Sequence, residues 1–291
     1  MARCPTQAAL PLVGLAAKKV IRDRHIWVGL LVVPLVLGGC AKQTETGSTA
    51  PGDGGEMAEA EGETPELLLL SGSSFIKPAQ QLADEFEEET GIEIVCSTGE
   101  SEELLPHVKE QQKGDIFVTH DPYLDYVEEA GSLADSVHVG FVAPVVCVSK
   151  GNEELKNKIN KVEDILDIDM KLAMSDPEYS TCGEIVRDFF QSKGEWESLK
   201  EKVGNRFTKG HSRLGTLLKT EAVDCVIMWN GVANNFKDSN EIVPTPYEYE
   251  EEVKVHVMTL SYSDHQAELE RYIQFVEDRG PEVFKAYGYV K

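Results

Sequence analysis

The chain is poor in cations. Its 291 residues carry 28 Lys and Arg against 51 Asp and Glu, a formal charge of −23. That balance argues against a nucleic-acid footprint and against a polybasic membrane-binding surface. No apolar run reaches the ~20 residues that a bilayer-crossing helix needs. The longest, residues 26–37 (IWVGLLVVPLVL), stops at 12. Signatures of catalysis and of tight metal binding are also missing. There is no CxxC, no zinc-ligand spacing, no HExxH and no GxSxG, which speaks against zinc modules, zincins and a hydrolase nucleophile elbow. The serines lack a His–Asp pair at a recognisable spacing, so an exported serine hydrolase is the weaker, different-class alternative. The chain is not expected to be an enzyme or to need a cofactor. No internal repeat stands out.

What is present begins at the N-terminus. Arg3, Lys18, Lys19, Arg22 and Arg24 precede the apolar run, with only Asp23 against them. Leu37-Gly38-Gly39-Cys40 follows. A basic stretch, a short apolar core and small residues form a secretory signal. Small residues before a cysteine resemble the lipobox of bacterial lipoproteins. The resemblance implies cleavage after residue 39 and a lipid on the Cys40 thiol, so a membrane-anchored lipoprotein on the periplasmic or extracytoplasmic face. Losing 1–39 removes five basic residues and one acidic residue, taking the charge from −23 to −27. Residues 41–65 (AKQTETGSTAPGDGGEMAEAEGETP) hold almost no large apolar side chain. They cannot bury enough surface to offset their ordering entropy, so 40–65 reads as lipidated cysteine plus flexible tether.

From residue 66 the pattern alternates strand and helix. Residues 67–70 (LLLL) suit a strand buried on both faces. Ala79, Leu82, Ala83 and Phe86 then fall at helical spacing, with Pro78 near the start and Gly91 at the end. Residues 92–96 (IEIVC) make a second strand. Ser101 opens a second helix with Glu102 and Glu103 in its first turn. A strand at 116–118 and a helix at 122–129 follow. This order predicts a doubly wound α/β layer. The apolar run 137–148 (VHVGFVAPVVCV), broken by Pro144, is long enough to leave one domain and enter another. Beyond it come a strand at 171–174, helices at 182–191 and 211–219, strands at 224–229 and 251–260, and two last helices at 263–278 and 281–287. The expected architecture is two α/β domains joined by a two-crossing hinge around a ligand cleft. Domain I spans 66–144 plus 246–291, and domain II spans 145–245. Cys96, Cys147 and Cys225 sit in strand-like runs and read as buried thiols. Export permits a disulfide among these and Cys182, with no pairing specified.

Six blocks of residues, taken in order, resemble the molybdate/tungstate-binding proteins of ABC importers. They are Ser73-Ser74-Phe75 with the helix ending Glu88-Glu89-Thr90-Gly91; Gly99-Glu100-Ser101 with Leu104; and Gly114-Asp115-Ile116-Phe117-Val118 leading to Tyr126 and Gly131. Asp176-Pro177-Glu178 with Gly183, Ala222-Val223-Asp224 through Trp229, and Phe284-Lys285-Ala286-Tyr287-Gly288-Tyr289 complete the set. The resemblance covers essentially all of 66–291. It implies the periplasmic-binding-protein type II fold, a bound oxyanion (molybdate or tungstate), an ABC importer permease as partner, and a monomer. It also implies a ligand set: hydroxyls of Ser74 and Ser101, backbone donors near Cys182 and near His211–Ser212, and Trp229 where the family places a tyrosine.

Each residue has a plainer role. Ser74 and Ser101 also suit helix N-caps, and Trp229 suits core packing. His120 and Asp121 read as a solvated loop. Glu100, Glu102 and Glu103 crowd the second loop, where charge would oppose an anion unless they face solvent. Phosphate is the runner-up ligand, because residues 70–74 (LSGSS) also look like a phosphate loop. Discrimination against it is expected from the lack of a buried carboxylate to accept its proton. A signalling module on the same fold would need the same site.

Overall fold

A computed structural model describes residues 65–245 and 253–290. The signal, Cys40, the tether up to residue 64 and the 246–252 connection lie outside the described residues. The chain runs β1 (Glu66–Gly72), α1 (Ile76–Thr90), β2 (Glu93–Gly99), α2 (Ser101–Lys109), β3 (Ile116–His120), α3 (Tyr123–Glu129) and β4 (Leu133–Val142). It continues with β5 (Pro144–Ser149), α4 (Glu153–Lys156), a 3-10 turn (Val162–Leu166), β6 (Leu172–Ser175), α5 (Thr181–Ser192), α6 (Trp196–Val203) and β7 (Phe207–Thr208). Then come α7 (His211–Lys219), β8 (Cys225–Trp229), α8 (Asn230–Asn235), β9 (Asn240–Ile242), β10 (Val253–Leu260) and α9 (Gln266–Ala286).

Two five-stranded sheets result, ordered β2-β1-β3-β10-β4 and β7-β6-β8-β5-β9. In each, three consecutive strands of a strand–helix series pair in parallel. Leu69 lies opposite both Cys96 of β2 and Ile116 of β3, and β6 pairs in parallel with β7 and β8. The later strands run the other way: β10 against β3 and β4, β5 against β8 and β9. The first sheet is therefore mixed, and the apolar LLLL run sits inside it. Helices cover both faces. On one side Ala79, Leu82 and Phe86 of α1 pack with Tyr272 and Val276 of α9. On the other Leu104 and Val108 of α2 pack with Phe117, Tyr123 and Met258. Burying side chains of this size stabilises by about 1.5–3 kcal/mol each.

One sequence expectation is met and two change. The 137–148 run is two strands in two sheets, parted at Ala143. Asn230 holds that crossing: its amide oxygen accepts from Ala143 N at 3.2 Å, and its own N–H donates to Ala143 O at 3.0 Å. The two last helices are one, because α9 continues through Pro281. The preceding residue is Gly280, which has no Cβ to clash with the proline ring, and a Cβ there would lie 2.7 Å from Val139 Cγ1. Finally, α6 and α8 form where no element was expected. The four cysteines of the described residues are free. No helix among the described residues is long and apolar enough to cross a membrane.

Candidate functional site

The parallel strands of each sheet end in loops that open helices, and these loops meet. Between them lies a narrow cavity lined by Gly72, Ser73, Ser74, Phe75, Glu100, Ser101, Glu102, His120, Tyr179, Ser180, His211 and Trp229. The first eight come from the ends of β1, β2 and β3. Tyr179 and Ser180 follow β6, His211 follows β7, and Trp229 ends β8. The space left is about 10 Å³, on the order of one water molecule. Anything larger needs the two walls to part.

Four helices of nine or more residues begin here: α1, α2, α5 and α7. Their N-cap residues are Phe75, Glu100, Ser180 and Gly210, and none makes a side-chain cap hydrogen bond. A helix start carries unpaired N–H groups and the positive end of the dipole. No lysine or arginine lines the cavity. Lys209 stands beside one lining residue, its Nζ 4.2 Å over the half-exposed Tyr179 ring.

The hydroxyls are held from behind. Thr119 Oγ1 donates to Ser101 Oγ at 2.7 Å, which leaves the Ser101 proton free to point elsewhere. Gly72 makes room for that hydroxyl, since a Cβ there would sit 2.6 Å from Ser101 Oγ. Ser74 is buried, and its carbonyl accepts from the Tyr289 hydroxyl. The opposite wall is aromatic. The His211 ring stacks on Trp229 at 5.5 Å between centroids, and His120 meets the same indole edge-on at 5.5 Å. His211 Nε2 shares a hydrogen bond with Ser180 Oγ at 3.1 Å, while its buried Nδ1 has no partner. Burial drives both imidazoles toward the neutral form, His120 down to about 4 and His211 to about 3. A neutral imidazole holds one donor and one acceptor nitrogen, and His120 Nδ1–H already donates to the Asp121 carbonyl at 2.6 Å, so its Nε2 is a neutral acceptor.

Of the residues proposed from sequence, Ser74, Ser101 and Trp229 line the cavity. Cys182 and Ser212 are the second residues of α5 and α7, where backbone N–H groups lack helical partners; the Cys182 side chain is buried and that of Ser212 exposed. Beside them, Ser180 and His211 line the cavity. His120 is buried there too, rather than in a solvated loop. Its position at the end of a parallel strand was the available signal. Glu100 departs most from expectation. Its carboxylate accepts from Ser73 Oγ at 2.9 Å and lines the cavity, so an acceptor is present where none was expected. Burial raises its pKa, against the Ser73 bond and with help from the Glu102 and Glu103 charges. Burial also raises that of Glu102, which is bonded to Tyr123.

A larger groove of about 710 Å³ lies between α1 and α9. It sits at the C-terminal half of α1, the negative end of that dipole, and holds the Arg279–Glu85 ion pair at 2.9 Å. It suits an anion poorly.

Known proteins share this fold. A Haemophilus influenzae binding protein is 22% identical over 226 residues, which cover 77% of this chain and 91% of the relative. The periplasmic molybdate-binding protein of Azotobacter vinelandii shares the fold at a TM-score of 0.64 and 16% identity, covering 77% of this chain and 99% of that one. The sulfate-binding protein of Mycobacterium tuberculosis does so at 0.64 and 13%, covering 77% and 86%. The fold is that of type II periplasmic binding proteins. The family pattern of bacterial extracellular solute-binding proteins matches residues 67–290, and the chain belongs to that family.

Proposed function

We propose that this protein captures a tetrahedral oxyanion between its two sheets and delivers it to the membrane permease of an ABC importer. One observation carries the reading: four helix N-termini without side-chain caps converge on one cavity with serine hydroxyls and neutral imidazoles. Such a site satisfies an anion with donors and dipoles and needs no counter-cation. The bodies 66–144 plus 246–291 and 145–245 act as the two jaws. The anion bridges donors on both, so it binds the closed arrangement better and shifts the population toward it. A lipid on Cys40 and the tether 41–65 hold the monomer near the permease, at the extracytoplasmic membrane face.

Two anion classes fit this frame. Molybdate or tungstate is the reading drawn from sequence, and the name of the Azotobacter relative supports it. Phosphate is the second, and the Glu100 carboxylate favours it. Thermal melts of the full-length chain with molybdate, tungstate, phosphate and sulfate, against chloride, test the common reading. At least one oxyanion should raise the midpoint with a saturable dose response. A folded protein indifferent to all four sinks it. For the anchor, Cys40→Ala should move the chain from the membrane fraction to the soluble one.

A further inference from the structure

We propose that Glu100 makes this site select an oxyanion that carries its own proton, such as hydrogen phosphate, over fully deprotonated sulfate, molybdate or tungstate. The inference rests on the oxyanion reading above and names the class of anion within it. Glu100 is the N-cap residue of α2, yet its side chain does not cap the helix. It turns across the cavity instead. Oε1 accepts from Ser73 Oγ at 2.9 Å on one wall. The same atom lies 2.9 Å from the point where a Cβ on Gly210 would stand, at the start of α7 on the other wall. The carboxylate is therefore lodged between the walls rather than swung to solvent.

A carboxylate offers about four lone-pair sites, and Ser73 uses one. The other polar groups around the space are mostly donors: the hydroxyls of Ser74, Ser101 and Ser180, the indole of Trp229 and the helix N–H groups. Glu102, the second carboxylate, is already engaged by Tyr123 and by its own backbone N–H. Glu100 is thus the charged acceptor that remains open to a ligand, beside the neutral acceptor nitrogen of His120. His211 lines the same space, and its buried Nδ1, which has no partner, independently points to a missing polar contact.

The consequence is electrostatic. Sulfate, molybdate and tungstate dianions present only acceptor oxygens. Opposite Glu100 they set lone pair against lone pair, with no lysine or arginine on the wall to offset the charge. Hydrogen phosphate turns one oxygen into an O–H donor, and the repulsive contact becomes a charge-assisted hydrogen bond. A hydrogen bond to a charged group discriminates by roughly tenfold to a hundredfold.

Isothermal titration of the full-length chain in detergent at pH 7.5, with sodium phosphate, sulfate and molybdate, tests this. Wild type should bind phosphate at least about tenfold more tightly than sulfate or molybdate. Glu100→Gln, which keeps shape and removes charge, should weaken phosphate by about tenfold or more and tighten sulfate and molybdate. Wild type ranking sulfate or molybdate above phosphate overturns the inference and leaves the oxyanion reading intact. So does a wild-type preference for phosphate that survives Glu100→Gln. Binding of none of the three by a cooperatively melting protein overturns both. If the variant does not fold, the wild-type ranking alone decides.

Discussion

The two walls of the cavity are built alike and made of different material. Each is a set of loops at the carboxyl ends of three parallel strands, β1, β2 and β3 on one side and β6, β7 and β8 on the other. The first wall is mostly hydroxyl and carboxylate, Ser73, Ser74, Ser101, Glu100 and Glu102, with the rings of Phe75 and His120 behind them. The second is ring: Tyr179, His211 and Trp229, with Ser180. The first has donors and an acceptor to contact an anion directly. The second has apolar ring area that expels water, which strengthens every polar contact made in the space. The difference teaches that one frame can divide its labour, with recognition on one side and exclusion of solvent on the other.

If that division holds, damage to the second wall costs stability first. Trp229 is 1% exposed and meets both imidazoles. Trp229→Ala should destabilise the fold by about 3–5 kcal/mol, as large cavities in cores do, and anion binding should fall with it. Urea unfolding with and without phosphate reads both. A variant that keeps its stability and loses only binding would make Trp229 a ligand contact instead, and erase the contrast between the walls.

Acid probes the imidazoles of both walls, His120 on the first and His211 on the second. His120 and His211 titrate below their unfolded value near 6.5, at about 4 and about 3. As pH falls past 6.5 the unfolded chain takes up protons that the native rings refuse, so stability is present above that value and is lost going down. By pH 5 the loss is about 2 kcal/mol per ring. The raised pKa values of Glu100 and Glu102 act the opposite way, as native carboxylates that protonate early. Asp121 and His256 face His120, and Ser180 faces His211. Urea midpoints at pH 7 and pH 5 should therefore fall less for His211→Gln than for wild type.

The first wall predicts the reverse pattern. Ser74→Ala removes a hydroxyl that caps no helix, so stability should stay within about 0.5 kcal/mol. Affinity for the bound anion should drop about tenfold, the worth of one hydrogen bond to a charged group. Calorimetry beside a urea curve separates the two readouts, and equal losses in both would return Ser74 to a structural role.

This contrast also explains what could be read from the chain. Ser74 and Ser101 each stand just past a short apolar strand and before a helix of clear 3.6 periodicity, so local pattern places them at a helix start. Ser180 and His211 follow strands of four and two residues, too short for a periodic signal, and Cys182 and Ser212 beside them look no worse. Which neighbour turns inward depends on the stacking of His211 on Trp229, across 18 residues and a helix. Glu100 read as one of three carboxylates of the second loop, compatible with an anion if they face solvent. Only the approach of Gly210 reveals that it is lodged in the cleft.

The smallest effect tests whether the walls are linked. Residues 287–290 cross between them. Phe141 N donates to Tyr289 O at 3.2 Å, and Asn230 Nδ2 donates to Val290 O at 3.1 Å. The Tyr289 hydroxyl donates to the Ser74 carbonyl, and its ring fills the space a Cβ on Gly231 would need. Ser74 belongs to the first wall, while Asn230 and Gly231 directly follow Trp229 of the second. Tyr289→Phe keeps the ring and removes one buried hydrogen bond, a loss of about 1 kcal/mol in stability. If the C-terminal segment fixes Ser74 relative to Trp229, affinity should fall by a further few-fold beyond what stability alone explains. Calorimetry at a temperature where both proteins are fully folded isolates that part. Unchanged affinity there would mean that each wall holds its own geometry and that the strap only stabilises the fold.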